Sequence, residues 1–192
     1  MTIDADHHQW PGAADGIHDS GYMAADYATD IAGLGVQATV FEECLTRYDP
    51  ALPPPLRSVG ETRFAASAAA DAPGGPKLCA AIVANADPFA EMDFGTILDA
   101  HVQAASGRLR GIRPCAAWDD DPAFSFASLE TRPSMLTDPR YAAALRVPAG
   151  RGMVFDTWVY HPQIGDVAAL ARAVPDCPMV LDQAGTPLGT GA

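Results

Sequence analysis

Residues 153–163 read MVFDTWVYHPQ, and residues 164–174 continue IGDVAALARAV. The first stretch is rich in β-branched and aromatic residues, with apolar side chains on both faces. That is the pattern of a strand covered on both sides, as in a parallel sheet. The second stretch places Val167, Leu170, Ala171 and Val174 at spacings of three and four, which predicts a helix with one buried face. Pro175 ends it. Between them stand polar residues, His161, Pro162 and Gln163. Strand, polar turn and helix make one βα unit.

The same unit recurs along the chain. Strands are predicted at Thr2 to Asp6, Val36 to Phe41, Leu78 to Ala84, Leu109 to Arg113, Met153 to Tyr160 and Met179 to Asp182. Helices are predicted at Tyr22 to Ala32, Phe89 to Ala105 and Ile164 to Val174. Alternation of this kind argues for an α/β fold with a parallel sheet. Pro50 to Pro55 and Ala72 to Lys77 read as Pro/Gly-rich loops, and Asp119 to Pro139 as a longer one. In Ala142 to Arg151, Pro148 and two glycines interrupt a helical pattern. No glycine fingerprint follows the first strand and no P-loop occurs, so a nucleotide-binding open sheet is not indicated.

Composition sets outer limits. The 192 residues suit one domain, and 48% hydrophobic against 19% charged is the balance of a chain with a buried core. Asp and Glu outnumber Lys and Arg by 24 to 12, for a formal charge of −12. An acidic chain repels phosphate backbones and anionic lipid, so nucleic acid and membranes are not expected partners. No apolar run reaches the ~18–20 residues of a membrane span. The first residues lack a basic and then apolar leader. Cys44, Cys79, Cys115 and Cys177 form no C-x-x-C pair. Reduced thiols and a cytoplasmic location are the expectation.

The strand ends carry the polar residues. The first runs into Asp6-His7-His8-Gln9-Trp10, and the second into Glu42-Glu43-Cys44. The fourth runs into Arg113-Pro114 and then Ala116-Ala117-Trp118-Asp119. The fifth runs into Tyr160-His161-Pro162-Gln163, and the sixth into Asp182-Gln183-Ala184-Gly185. Polar groups at the C-terminal ends of parallel strands are where barrels and open sheets place their sites. His18 and His101 fall on helix-like segments and read as surface residues. Asp119-Asp120-Asp121 reads as a solvated acidic loop. Arg113 has Asp119 or Glu43 as its expected acidic neighbours.

Five motifs in order, D-x-x-H-H-x-W, A-T-V-F-x-E-C, R-G-I-R with A-A-W-D, F-D-x-W-x-Y-H-P-Q and L-D-x-x-G-x-P-L-G, resemble the amidohydrolase family 2 group. The resemblance covers nearly the whole chain. It implies a (β/α)8 TIM barrel and a hydrolase of the kind that includes sugar and pyrone-dicarboxylate lactonases. In such enzymes a His-x-His on the first strand, histidines after the fifth and sixth strands and an Asp on the eighth surround the reacting carbonyl. Metal-dependent members hold a divalent ion there, which lowers the pKa of bound water to about 7. Lactonase members polarise the carbonyl with His and Arg, and a carboxylate activates the water.

The chain departs from that pattern. Asp6 stands at the first His of His-x-His, Pro114 follows R-G-I-R, and Gln183 follows L-D. The resemblance therefore assigns His8, Arg113 and His161 as catalytic residues. Glu43 is carried over with them, Trp118 and Tyr160 read as pocket wall, and Gln183, where the family has a His, as a hydrogen-bond donor; these four are the substrate-binding candidates. Asp6 and His8 are the metal-ligand candidates, for no metal or a single weakly bound zinc-type ion. The sixth strand lies near Ala192, so the expectation is one incomplete barrel domain over residues 1–192. It would have about six βα units, an open edge that invites self-association, and a small-molecule substrate. A non-catalytic paralogue that binds a ligand, or a sister chain through its open edge, is the alternative.

Overall fold

The computed structural model describes residues 2–12, 21–68, 75–125 and 130–189. Six strands follow one another: β1 (Thr2–His7), β2 (Val36–Glu42), β3 (Lys77–Ala84), β4 (Leu109–Ile112), β5 (Val154–Thr157) and β6 (Met179–Leu181). Their order in the sheet is their order in the chain. The pairings of β1 with β2, β2 with β3, β4 with β5 and β5 with β6 are parallel. Sequential parallel pairing with helical connections is how a (β/α)8 barrel is wound, here over five βα units and a sixth strand among the described residues. β1 and β6 are the outer strands of that order. No helix of the described residues is long and apolar enough to cross a membrane.

Five α-helices lie between the strands: α1 (Ala24–Asp30), α2 (Val59–Ala68), α3 (Phe94–Ala104), α4 (Pro139–Gly150) and α5 (Ile164–Ala173). Two of them depart from the sequence reading. The α4 helix runs through Pro148, where an interruption is expected. Asp138 caps it by accepting the amide of Arg140, Pro139 opens it, and Tyr141, Ala144, Leu145 and Pro148 are its buried face. That i, i+3, i+4, i+7 stripe outweighs the lost N–H, because Pro148 falls in the last turn. The α2 helix has no apolar stripe to betray it, since its buried face includes Glu61 and Thr62 beside Val59 and Ala65.

Contacts divide the chain into two compact units, residues 1–85 with 96–110, and residues 86–95 with 111–192. In the first, Phe41, Ile82, Ile97 and Leu98 are buried. His101 is buried there too, not on the surface as its helix position suggests. Its Nδ1 meets Thr62 Oγ1 at 2.8 Å and its Nε2 meets Ser58 Oγ at 3.4 Å. Burial lowers its pKa to about 4, so α3 is fastened to α2 by a neutral imidazole. In the second unit Tyr141 packs edge-on against Phe155, and Leu145 and Val159 are buried. A Cβ at Gly111 would lie 2.5 Å from Val154 Cγ2 and 2.8 Å from Val154 O. The glycine of R-G-I-R is thus a packing requirement of the β4–β5 pair.

Candidate functional site

In the first unit, β1 ends at His7, and its two histidines are held differently. His7 is buried. Its Nδ1 bonds Val40 O at 2.7 Å, and its ring lies 4.7 Å from the Tyr27 ring. Burial lowers its pKa. His8 is partly exposed. Its Nδ1 lies 2.8 Å from Glu42 O and its Nε2 3.5 Å from Asp6 Oδ1. A carbonyl only accepts, so Nδ1 carries the hydrogen and Nε2 is the nitrogen turned toward Asp6.

Asp6 Oδ1 is buried and has no hydrogen-bond partner. One nitrogen and one orphaned oxygen are a start on a cation site. They fall short of the three protein ligands that a catalytic zinc takes. Among the described residues no group of three or more His, Cys, Asp or Glu side chains is gathered for a metal. Among the described residues, Asp6 and His8 alone do not make a zinc centre.

The β2 end brings together more than the sequence reading assigned to it. Glu43 continues the ladder through its N–H to Val83 O, and its Oε2 accepts from Asn85 Nδ2 at 3.3 Å. It is buried, as is Glu61 on α2. Glu61 Oε1 accepts the amides of Cys44 at 2.8 Å and Thr46 at 3.1 Å. Burial first, and the charge of Glu43 second, push the Glu61 carboxyl up to about 8. The Cys44 thiol is pushed up as well, by burial and then by Glu61 and Glu43. A thiol held in that form is no nucleophile.

In the second unit, Arg113 follows β4 and Asp182 follows β6. Arg113 Nη1 donates to Asp182 Oδ2 at 2.6 Å, and both side chains are buried. Asp182 is thus a partner of Arg113 that the sequence reading did not name. His161, exposed after β5, accepts the amide of Leu188 at Nδ1 over 3.2 Å. Its Nε2 then carries the hydrogen in the neutral ring. Tyr160 is buried and donates to Phe124 O at 2.7 Å; burial raises its pKa.

Trp118 is half-buried, and its amide donates to Gln163 Oε1 at 2.9 Å. The same oxygen accepts the amide of Tyr160 at 3.1 Å, while Gln163 Nε2 donates to Ala116 O at 2.8 Å. Gln183 is exposed. It opens a left-handed run, Gln183, Ala184, Gly185 and Thr186, with φ of 47, 54, 77 and 39°. A groove of roughly 430 Å³ between the start of α4 and the side of α5 is lined by Leu136, Pro139, Ala142, Arg146 and Ala169, and by none of these site candidates.

Comparison with known proteins bears on the fold. No family model matches the chain. A crystal structure of an amidohydrolase from Burkholderia multivorans with bound zinc superposes with a TM-score of 0.68 at 21% identity, over 96% of this chain and 58% of that one. The fold is that of the amidohydrolase barrels. Amidohydrolase 2 from Bifidobacterium longum subsp. infantis superposes with a TM-score of 0.60 at 18% identity, over 98% and 64%. A probable 2-pyrone-4,6-dicarboxylic acid hydrolase from Acinetobacter baumannii, solved with citric acid, reaches 0.51 at 10% identity, over 82% and 49%. In sequence, the uncharacterized protein y4mH of Sinorhizobium fredii is 28% identical over 200 residues, 95% of this chain and 62% of that protein. The chain spans about three-fifths of the length of these first relatives.

Asp6, His8, Glu43, Arg113 and Gln183 stand within two residues of a C-terminal strand end, Tyr160 and His161 three and four residues beyond β5, and Trp118 six residues beyond β4. The sequence reading missed Glu61, Asn85, Gln163 and Asp182 as partners. Asp182 and Gln163 lie inside quoted motifs, beside the residues assigned. Asn85 follows the apolar run of β3 directly. Glu61 had no signal, because a lone acid on an unrecognised helix looks solvated. His18 lies outside the described residues.

Proposed function

We propose that the chain belongs to the amidohydrolases of the family 2 type and serves hydrolysis of a lactone or similar cyclic ester at the C-terminal ends of its strands. The observation that carries this reading is the hold on His8. Its Nδ1–H is anchored on Glu42 O, and its Nε2 is aimed at Asp6. A ring fixed in this way moves a proton at one stated atom, Nε2. His161, whose Nδ1 is occupied by the Leu188 amide, offers Nε2–H to a carbonyl oxygen. Arg113 adds a fixed positive charge beside Asp182, of the kind that stabilises a developing oxyanion. Glu43 in the first unit, and Trp118, Tyr160 and Gln183 in the second, are the substrate-binding candidates. The course needs no metal ion, or takes a single divalent ion held weakly by Asp6 and His8.

The test is proton release from a panel of five- and six-membered lactones. The expected result is turnover that falls by roughly 10²–10⁴ in His8→Asn and in His161→Ala, the range for loss of a proton-transfer group. Absence of turnover on every lactone, or rates untouched in both variants, would overturn the reading.

A second reading, self-association without catalysis, is favoured by one observation. Val180 and Leu181 on β6 are 46% and 38% exposed, and Ile3 on β1 is 48% exposed. Apolar side chains on an outer strand make a template for pairing. Sedimentation over a range of concentrations separates the readings. A dimer dispersed by Val180→Lys, in a protein without turnover, would support the second.

A further inference from the structure

Glu61 is a carboxyl group with nothing of its own kind to balance it. It is 2% exposed, and one oxygen, Oε1, takes both the Cys44 and the Thr46 amides. The other oxygen, Oε2, is buried with no hydrogen-bond partner. The segment it grips is the turn directly after β2. Within and beside that turn, Leu45 and Arg47 have φ of 62 and 54°, left-handed values that side chains adopt at a cost. A non-glycine turn of this kind persists where neighbouring structure determines it. Two backbone N–H groups converging on one oxygen supply that determination. Glu43 is the residue at the root of the turn, and Asn85 Nδ2 holds its carboxylate from the other side.

We propose that Glu61 is the positioning residue of the β2 end: by gripping the Cys44 and Thr46 amides it fixes the direction in which Glu43 presents its carboxylate. This rests on the reading above, in which Glu43 is a substrate-binding residue. Burial and the charge of Glu43 both favour a proton on Glu61. The groups that bear on Glu61 are Glu43 and Cys44 from the turn. On its own helix, Arg63 is paired at the surface with Asp49, and His101 of α3, neutral, meets Thr62.

The experiment is backbone amide exchange and side-chain carboxyl titration by NMR on the full chain, with Glu61→Ala and Glu61→Gln. In Glu61→Ala, protection at Cys44 and Thr46 is expected to fall at least tenfold while Phe41 and Ile82 stay protected. The Glu43 carboxyl resonance is expected to shift with it. In Glu61→Gln the Oε1 acceptor survives without a charge, so protection and the Glu43 titration are expected to match the parent. Should Glu61→Ala not fold, Glu61→Asp withdraws the oxygen by one methylene and is read the same way. Unchanged protection in Glu61→Ala or Glu61→Asp would overturn the proposal. So would a Glu43 midpoint lowered by Glu61→Gln, which would mean that Glu61 had carried the charge. None of these readouts needs turnover, so failure of the hydrolase reading leaves the result intact.

Discussion

Arg113 and Asp182, 69 residues apart in sequence, meet through one hydrogen bond of 2.6 Å with both side chains buried. The pair ties the residue after β4 to the residue after β6, across the segment that contains β5. Taking two charges from water is costly, and the attraction repays it only while both are present. Loss of one takes this bond from the other. Arg113→Met and Asp182→Leu are each expected to cost about 3–5 kcal/mol of stability in urea denaturation, the range for breaking a buried pair. The double variant should cost much less than the sum of the two. Additive losses would mean that the two side chains act on stability independently.

Gly111 stands on β4 against Val154 of β5. A methyl group there would meet a side-chain carbon and a backbone oxygen at once. The side chain can be cut back; the backbone cannot. Gly111→Ala is expected to lose about 1–3 kcal/mol, as overpacking does, and Val154→Ala in the same chain should restore only part of it. Full restoration would show that the Val154 carbonyl has room to move.

Titration offers a third check. The Glu61 carboxyl titrates near 8 in the folded chain against an ordinary 4.5. The folded state therefore binds that proton more tightly than the unfolded one. Its contribution is fully present below 4.5 and is lost as pH rises to about 8. His101 works in the opposite direction, with a folded value near 4 against 6.5. Its contribution is present above 6.5 and lost as pH falls toward 4. His7 is lowered too and has the same sign. The effects oppose each other below 6.5, which leaves Glu61 to dominate between 6.5 and 8. Melting temperature is expected to fall across that interval in the parent and to stay level in Glu61→Gln. A parallel fall in both would assign the slope to another group.

The six strands were legible because each is a short apolar run closed by polar residues, and their order followed from the helical patterns between them. The site was legible only in part. His8, Arg113 and His161 lie at strand ends, where position alone marks them. What each one touches was not, because contacts such as Arg113 with Asp182 join residues far apart in the chain. Helices α2 and α4 were hidden for opposite reasons. In α4 a strong local signal, Pro148, argued against a helix that burial of Tyr141, Ala144 and Leu145 enforces. In α2 the buried face is made of Glu61 and Thr62, so hydrophobic period was silent, and Glu61 was lost with it.

Gln163 shows how far such a hidden role can reach. One amide group accepts from the Trp118 and Tyr160 backbones and donates to the Ala116 carbonyl. It thereby joins the segment after β4 to the segment after β5, which carry the Trp118 and Tyr160 walls and lead into His161. Gln163→Leu keeps the approximate volume and leaves two amides and a carbonyl without it. Each group left unpaired when buried costs about 1–3 kcal/mol, and water reaches the half-buried ones, so a loss of about 2–4 kcal/mol is expected. Gln163→Glu separates the two halves of the role. Its oxygens still accept from Trp118 and Tyr160, but it cannot donate to Ala116 and sets a carboxylate against that carbonyl. Its stability should lie between the parent and Gln163→Leu. Near-UV circular dichroism adds a local reading, since the Trp118 and Tyr160 rings lose their fixed setting when the clamp opens. If Gln163→Glu melts no higher than Gln163→Leu, the two accepted amides contribute no more than the carboxylate set against the Ala116 carbonyl costs.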